Sequence, residues 1–247
     1  MAFKKWVGGA IGWALGGPIG ALIGFAVGYM AEDSSLSTQE QQSNSYKKNY
    51  NRHTQRGDFT SALLVLSAAV MKADGKLMKS ELQFIKEFFV RQFGPIVAAE
   101  QMGVLKELLY KDIPVREVCY QIRDYMEHPM RLQLLHYLFG IAKADGRVDK
   151  TEADLIQQIS LDLNISQKDY ESIQAMFYKD AASAYKILEI EPSATDDEVK
   201  KAFRKMAMKY HPDKVKDLGE EYQKAAQEKF IKVQEAYDQL RKERGMK

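Results

Sequence analysis

Thr195–Lys214 reads TDDEVKKAFRKMAMKYHPDK, and its spacing predicts a helix that stops at a tight turn. Thr195 and Glu198 stand in the T-x-x-E arrangement of a capping box, with Asp196 and Asp197 adding negative charge at the positive helix end. Val199, Ala202, Phe203, Met206 and Tyr210 recur at steps of three and four and lay down one apolar face. Lys200, Lys201, Arg204, Lys205 and Lys209 cover much of the remainder. The helix is expected to end near Tyr210, because Pro212 disfavours helical geometry in the residue before it. A polar loop over residues 214–219 leads to a second predicted helix, about Glu221–Leu240, in which Ala226, Phe230, Val233, Tyr237 and Leu240 form a matching face. Upstream, Ala184, Tyr185, Leu188 and Ile190 make a short packing helix that ends at Glu191-Pro192. About 65 residues can sustain two antiparallel helices stapled by a short third.

The dipeptide His-Pro occurs twice, which supplies an internal control. His128-Pro129-Met130 lies between two apolar-periodic segments and reads as a helix boundary. His211-Pro212-Asp213 instead follows a capped basic helix. The ordered set AYKILEI, T-x-x-E, KKAFRKMAMKYHPDK and F-x-x-x-x-x-AYDQL resembles the J domain of DnaJ-type co-chaperones over about Ala184–Lys247. The resemblance implies that His211, Pro212 and Asp213 are the tripeptide that stimulates ATP hydrolysis by a DnaK-type chaperone. It also implies that Lys200, Phe203 and Arg204 face that partner. The chemistry suits the role. A positive helix face favours electrostatic docking on an acidic surface. Asp213, just past a rigid proline, can offer a carboxylate to an arginine as a charge-assisted bond. No GxxxxGK[ST] loop is present in the sequence, so catalysis would remain the partner's and the chain is read as a non-enzyme. Interleaved acids and the absence of a strongly basic balance argue against nucleic acid as a partner. His211 has no Ser or Cys nucleophile set around it, His53 falls in a polar tether, and His136 sits in an apolar helix as a core or capping residue.

The middle of the chain contains a repeat. Lys72-Ala73-Asp74-Gly75…Glu81 recurs as Lys143-Ala144-Asp145-Gly146…Glu152, in the same order and spacing. In each copy an apolar helix (Phe59–Ala73; Leu132–Ala144) ends where glycine supplies left-handed backbone. Leu77 or Val148 is expected to plug the core across the turn, and Glu81 or Glu152 to open the next helix, with Asp149-x-x-Glu152 as a capping box. Further helices are predicted over Gly94–Tyr110, Pro114–Glu127 and Ser166–Tyr178, and no stretch alternates as a strand. The segment from about residue 58 to 178 is all-α. A calcium loop needs several oxygen ligands at alternating positions; Lys76 and Met78 stand in two of those places in the first copy, while Asp145, Asp149 and Glu152 form a partial set in the second. These three remain candidates for a weak divalent-cation site, beside the plain reading of a helix–turn–helix corner. The paired K-A-D-G turns resemble the TerB-like (tellurite-resistance) helical family, which implies a binding or sensing module whose acidic clusters are associated with divalent cations.

The N-terminus is of another kind. Trp6–Met30 carries no charge and consists, apart from Pro18, of apolar residues and glycine. As a helix it would extend roughly 37 Å, enough to cross a hydrocarbon core of ~30 Å, with Trp6 and Tyr29 near the two interfaces. Gly8, Gly12, Gly16, Gly20, Gly24 and Gly28 recur at every fourth position. In water they would cost a helix ~1 kcal/mol each; in lipid they make a smooth stripe for a second helix. The segment therefore reads as one membrane helix that self-associates. Two alternatives are a hairpin broken at Gly16-Gly17-Pro18 and a signal peptide, whose apolar region should span only about 7–15 residues. Lys4 and Lys5 on one flank and Lys47, Lys48, Arg52 and Arg56 on the other leave orientation undecided. Residues 32–57 are a polar tether.

Bulk composition hides this mosaic. The 247 residues are 45% hydrophobic and 28% charged, with net charge +2 and mean hydropathy −0.40, which excludes wholesale disorder and a many-span membrane protein. The single cysteine, Cys119, excludes an intrachain disulfide and any CxxC metal site. The whole chain is therefore predicted all-α: a membrane segment (1–31), a linker (32–57), a TerB-like domain (58–178) and a J domain (184–247). That order resembles the membrane-anchored DnaJ-like co-chaperones of Gram-negative bacteria. The resemblance implies an inner-membrane, single-pass protein with its C-terminal domains in the cytoplasm, a DnaK-type partner, the membrane itself, a homodimer through the N-terminal helix, and no cofactor beyond the cation just named. The competing expectation is a metal- or stress-responsive membrane adaptor with an accessory J domain. One departure stands out: such a co-chaperone carries a long Gly/Gln-rich linker before its J domain, whereas Tyr178–Ser183 leaves almost none.

Overall fold

The computed structural model describes residues 16–27, 55–178, 182–214 and 220–246, and every regular element among them is a helix. Each copy of the K-A-D-G repeat closes a helix that is apolar around its whole circumference, and such a helix is stable only when surrounded. In the first copy this is α1 (Gln55–Met71), which buries Phe59, Ala62–Leu66 and Ala68–Met71. In the second it is α5 (His128–Ala142), which buries Met130, Leu132, Leu134, Leu135 and Tyr137–Ala142. Each lies in its own compact unit. Residues 1–77 and 85–126 form one unit, and residues 78–84 and 127–247 form the other.

In the first unit α1 packs on α3 (Pro95–Leu108) and α4 (Val115–Tyr125). Gly94, at φ 84°, turns the chain directly into Pro95 at the start of α3. The amphipathic α4 offers only Val118, Cys119 and Ile122 to the core. Residues 16–27 are helical and lean on α4: the Gln121 side chain accepts from the Ile19 amide (3.0 Å) and donates to the Gly16 carbonyl (2.6 Å). Gly17, immediately before Pro18 at the start of this stretch, has φ 58°, a left-handed conformation that glycine adopts readily. Gly20 is buried in this stretch and Gly16 and Gly24 are half-buried, while Gly8, Gly12 and Gly28 lie outside the described residues. Among the described residues no helix is long and apolar enough to cross a membrane.

The second unit gathers the first turns of α2 (Lys79–Phe93), α5, α6 (Lys150–Asp162), α7 (Gln167–Ala175), and the C-terminal elements α8 (Ser183–Ile187), α9 (Asp196–Lys209) and α10 (Glu220–Arg244). α6 and α7 pack on α5, α8 packs on α7 and α10, α9 packs on α10, and α10 also meets α5. His128-Pro129 opens α5, as its reading as a helix boundary requires. The C-terminal hairpin is therefore seated on the second half of the middle segment.

Both repeat turns follow one design. Gly75 (φ 77°) and Gly146 (φ 92°) take the left-handed conformation, and Asp74 and Asp145 accept the Lys76 and Arg147 amides at 2.8 and 2.9 Å. The expectation that Leu77 plugs the core fails: the residue is 55% exposed, because the Asp74 turn carries the chain along the surface before α2 begins. Its counterpart Val148 is half-buried.

Candidate functional site

The basic helix α9 opens on the capping box that its sequence implies. Thr195 Oγ1 accepts the Glu198 amide (3.3 Å) and Glu198 Oε2 accepts the Thr195 amide (2.7 Å). These bonds from Thr195 hold the Glu198 carboxyl below its ordinary range. At the far end of the hairpin Arg244 donates to the carbonyls of Ala194 (2.5 Å) and Pro192 (2.8 Å) and to the Tyr185 hydroxyl (3.1 Å), closing α10 onto the loop before α9.

The tripeptide follows α9 as a single 3₁₀ turn. The Lys214 amide donates to the His211 carbonyl (2.9 Å), and the Asp213 amide donates to His211 Nδ1 (3.2 Å). The imidazole thus caps its own turn, with its edge against the Phe230 ring at 5.9 Å. The His211 and Asp213 side chains are 50% and 76% exposed. Arg204 is exposed and Lys200 half-buried on the same helix. Phe203 differs from a free partner-facing residue, for its ring stacks on Tyr237 of α10 at 4.3 Å. The structure brings His211, Pro212 and Asp213 together on one turn, with Lys200 and Arg204 along the helix leading to it.

Lys209 does not belong to the solvated basic face. Its ammonium lies between Asp169 of α7 and Glu189, the latter at 2.5 Å, and its side chain is only 22% exposed. Burial alone would lower its pKa, but the two carboxylates outweigh burial and raise it. Asp169 shows the mirror image: burial pushes its carboxyl up, yet bonds from His128, Lys209 and Ser166 hold it well below the usual carboxylate range. Its Oδ2 accepts the Ser166 hydroxyl (2.7 Å) and lies 3.5 Å from His128 Nε2. Glu189 has φ 58°, uncommon for a residue with a side chain, and also meets Lys205 at 3.1 Å. Sequence reasoning missed Asp169 and Glu189. Asp169 stands on α7 and Glu189 just after α8, and only their meeting at Lys209 joins them, so no local pattern could have found them. Beneath the tripeptide, Lys229 of α10 is fully buried and donates to the Gln133 side chain of α5. A shallow cleft beside His211, open to solvent, has walls from Pro129, Leu132 and Gln133.

The candidate cation residues are not gathered into a site. Asp145 accepts the Arg147 amide, Asp149 accepts the Thr151 amide at 2.8 Å, and Glu152 accepts the Asp149 amide at 3.0 Å as the capping box of α6. Among the described residues no group of three acidic, histidine or cysteine side chains could hold a metal ion. Helix capping and turn formation engage oxygens of all three residues.

A short helix, a capped basic helix, a His-Pro-Asp turn and a long returning helix define a J-domain protein, and the family model of the DnaJ domain matches residues 183–245. The tellurite resistance protein TerB model matches residues 60–175, and the co-chaperone DjlA transmembrane domain model matches residues 1–41. The chain carries these three segments in this order, and several of the curated proteins it is similar to are named co-chaperone protein DjlA. It is 28% identical over 228 residues to the co-chaperone protein DjlA of Vibrio parahaemolyticus, covering 77% of this chain and 79% of that one. It is 27% identical over 200 residues to the protein of the same name from Coxiella burnetii, covering 72% and 74%. The J domain alone is 52% identical over 63 residues to the chaperone protein DnaJ of Mycoplasmoides gallisepticum, covering 26% and 15%. No solved structure matches the chain.

Proposed function

We propose that this protein is a membrane-anchored co-chaperone that recruits a DnaK-type chaperone and stimulates its ATPase through His211, Pro212 and Asp213. The observation that carries the reading is the exposed His-Pro-Asp turn at the end of α9, with Arg204 open on the helix leading to it. Lys200 and Arg204 supply positive charge for docking, and Phe203, stacked on Tyr237, stiffens the face that presents them. The Asp213 carboxylate is open to accept from a cationic group of the partner. The chemistry of hydrolysis stays with that partner, so the chain acts as a regulator. The match of residues 1–41 to a transmembrane family supports a membrane anchor; in this reading the anchor lies in the inner membrane and self-associates through its glycine stripe, with the J domain on the cytoplasmic side, where ATP and the partner are.

The test is single-turnover ATP hydrolysis by a DnaK-type chaperone in the presence of the full chain, wild type against His211→Gln. The wild type is expected to accelerate hydrolysis at least roughly tenfold, a transition-state gain of about 1.4 kcal/mol, and the variant to remove most of the effect. Equal rates with the two proteins would sink the reading.

A further inference from the structure

The J domain in this chain is docked. Three contacts join it to the TerB-like helices of the same compact unit. Asp169 of α7 grips Lys209, the Ser172 hydroxyl donates to the Ile187 carbonyl (2.9 Å), and Lys229 reaches Gln133. Tyr210, next in the chain after Lys209, is 3% exposed. The docked face is thus the back of the domain, while His211 and Asp213 stay open to solvent.

We propose that Asp169 is a positioning residue for the His-Pro-Asp turn, so that the TerB-like helices aim the tripeptide at the partner. The inference rests on the co-chaperone reading. Its physical basis is the short, stiff path from the clamp to the tripeptide. Only Tyr210 separates Lys209 from His211, and burial locks it; beyond it the turn is braced by Pro212 and by the His211–Asp213 bond. A displacement at Lys209 therefore passes into the turn. Asp169 is well suited to prevent one, its side chain being 8% exposed and itself fixed by Ser166. The bonds and ion pairs of Asp169 run to Ser166, His128 and Lys209 rather than to Lys200 or Arg204, so aim and docking affinity are separable.

The experiment measures single-turnover hydrolysis by a DnaK-type chaperone against rising concentrations of the full chain in detergent micelles. Asp169→Ala should lower the maximal rate roughly three- to tenfold, while the half-saturating concentration stays within about twofold. Asp169→Glu, which keeps the charge, should restore most of the rate. A maximal rate that is unchanged or raised in Asp169→Ala would overturn the inference, as would a fall matched by an equal loss of affinity and no recovery in Asp169→Glu. If Asp169→Ala melts below the assay temperature, the isosteric Asp169→Asn carries the same expectations. Failure of the co-chaperone reading looks different: the wild type itself would then give no more stimulation than His211→Gln.

Discussion

Lys229 is the residue at which this fold works against its own electrostatics. Its ammonium has no exposed surface and one neutral hydrogen-bond acceptor, Gln133, with the Tyr210 ring 6.0 Å away. Burial lowers its pKa well below the ordinary 10.5, and the opposing pull of Glu228 is the smaller effect. The folded-state pKa is therefore below the unfolded one. Between those two values the unfolded chain binds the extra proton, so this residue makes stability rise with pH up to about 10.5. His136, lowered by burial and then by Lys229 and Lys232, acts in the same sense at pH values below 6.5. Lys229→Met keeps the length of the side chain and removes the buried amine. Thermal unfolding should show the variant more stable by about 1–2 kcal/mol near neutral pH, with the gain shrinking as pH climbs. A variant less stable than wild type at neutral pH would mean that the bond to Gln133 outweighs desolvation.

At the scale of elements, α5 shows why glycine stands in the middle of a helix. Exchanging an exposed helical glycine for alanine ordinarily stabilises by about 1 kcal/mol. At Gly140, however, an added Cβ would lie 2.4 Å from the tip of the Phe84 ring, which packs 6.0 Å from Tyr137. The ring would have to leave its seat, so Gly140→Ala should instead destabilise by about 1–2 kcal/mol. Chemical denaturation checks the sign, and a stabilised variant would contradict the close approach. This constraint was invisible in the sequence, where Phe84 and Gly140 stand in separate copies of the repeat. The helices themselves were legible, because Thr195…Glu198, Asp149…Glu152 and the two glycine turns act through near neighbours in the chain. So was the tripeptide turn, which local covalent geometry forms. The partners of Lys209 were not, since its position on α9 reads as solvent-facing until α7 is placed beside it. Leu77 erred in the opposite direction: hydrophobicity alone put it inside, and the Asp74 turn held it out.

At the scale of the whole molecule, two functions are assigned to different parts, and they should separate. The tripeptide and its clamp lie within one compact unit, residues 78–84 and 127–247, whereas the glycine stripe runs from Gly8 to Gly28 at the N-terminus. The proposed self-association through that stripe would depend on backbones approaching closely in lipid, where small residues let helices make van der Waals contact. Gly17, with its left-handed φ of 58°, divides the stripe into Gly8, Gly12 and Gly16 before it and Gly20, Gly24 and Gly28 after it. If the stripe is one working surface, a bulky side chain on either side of the division should spoil it. Gly16→Leu and Gly24→Leu place one bulky side chain on each side of Gly17. Energy transfer between labelled copies of the full chain in phospholipid vesicles should fall to the level of a non-associating control in each variant. ATPase stimulation by the same preparations should stay within about twofold of wild type, since the tripeptide and its clamp belong to a different compact unit from the stripe. Undiminished energy transfer in both variants would remove the stripe as the contact. Loss of stimulation together with association would show instead that the partner recognises the assembled form.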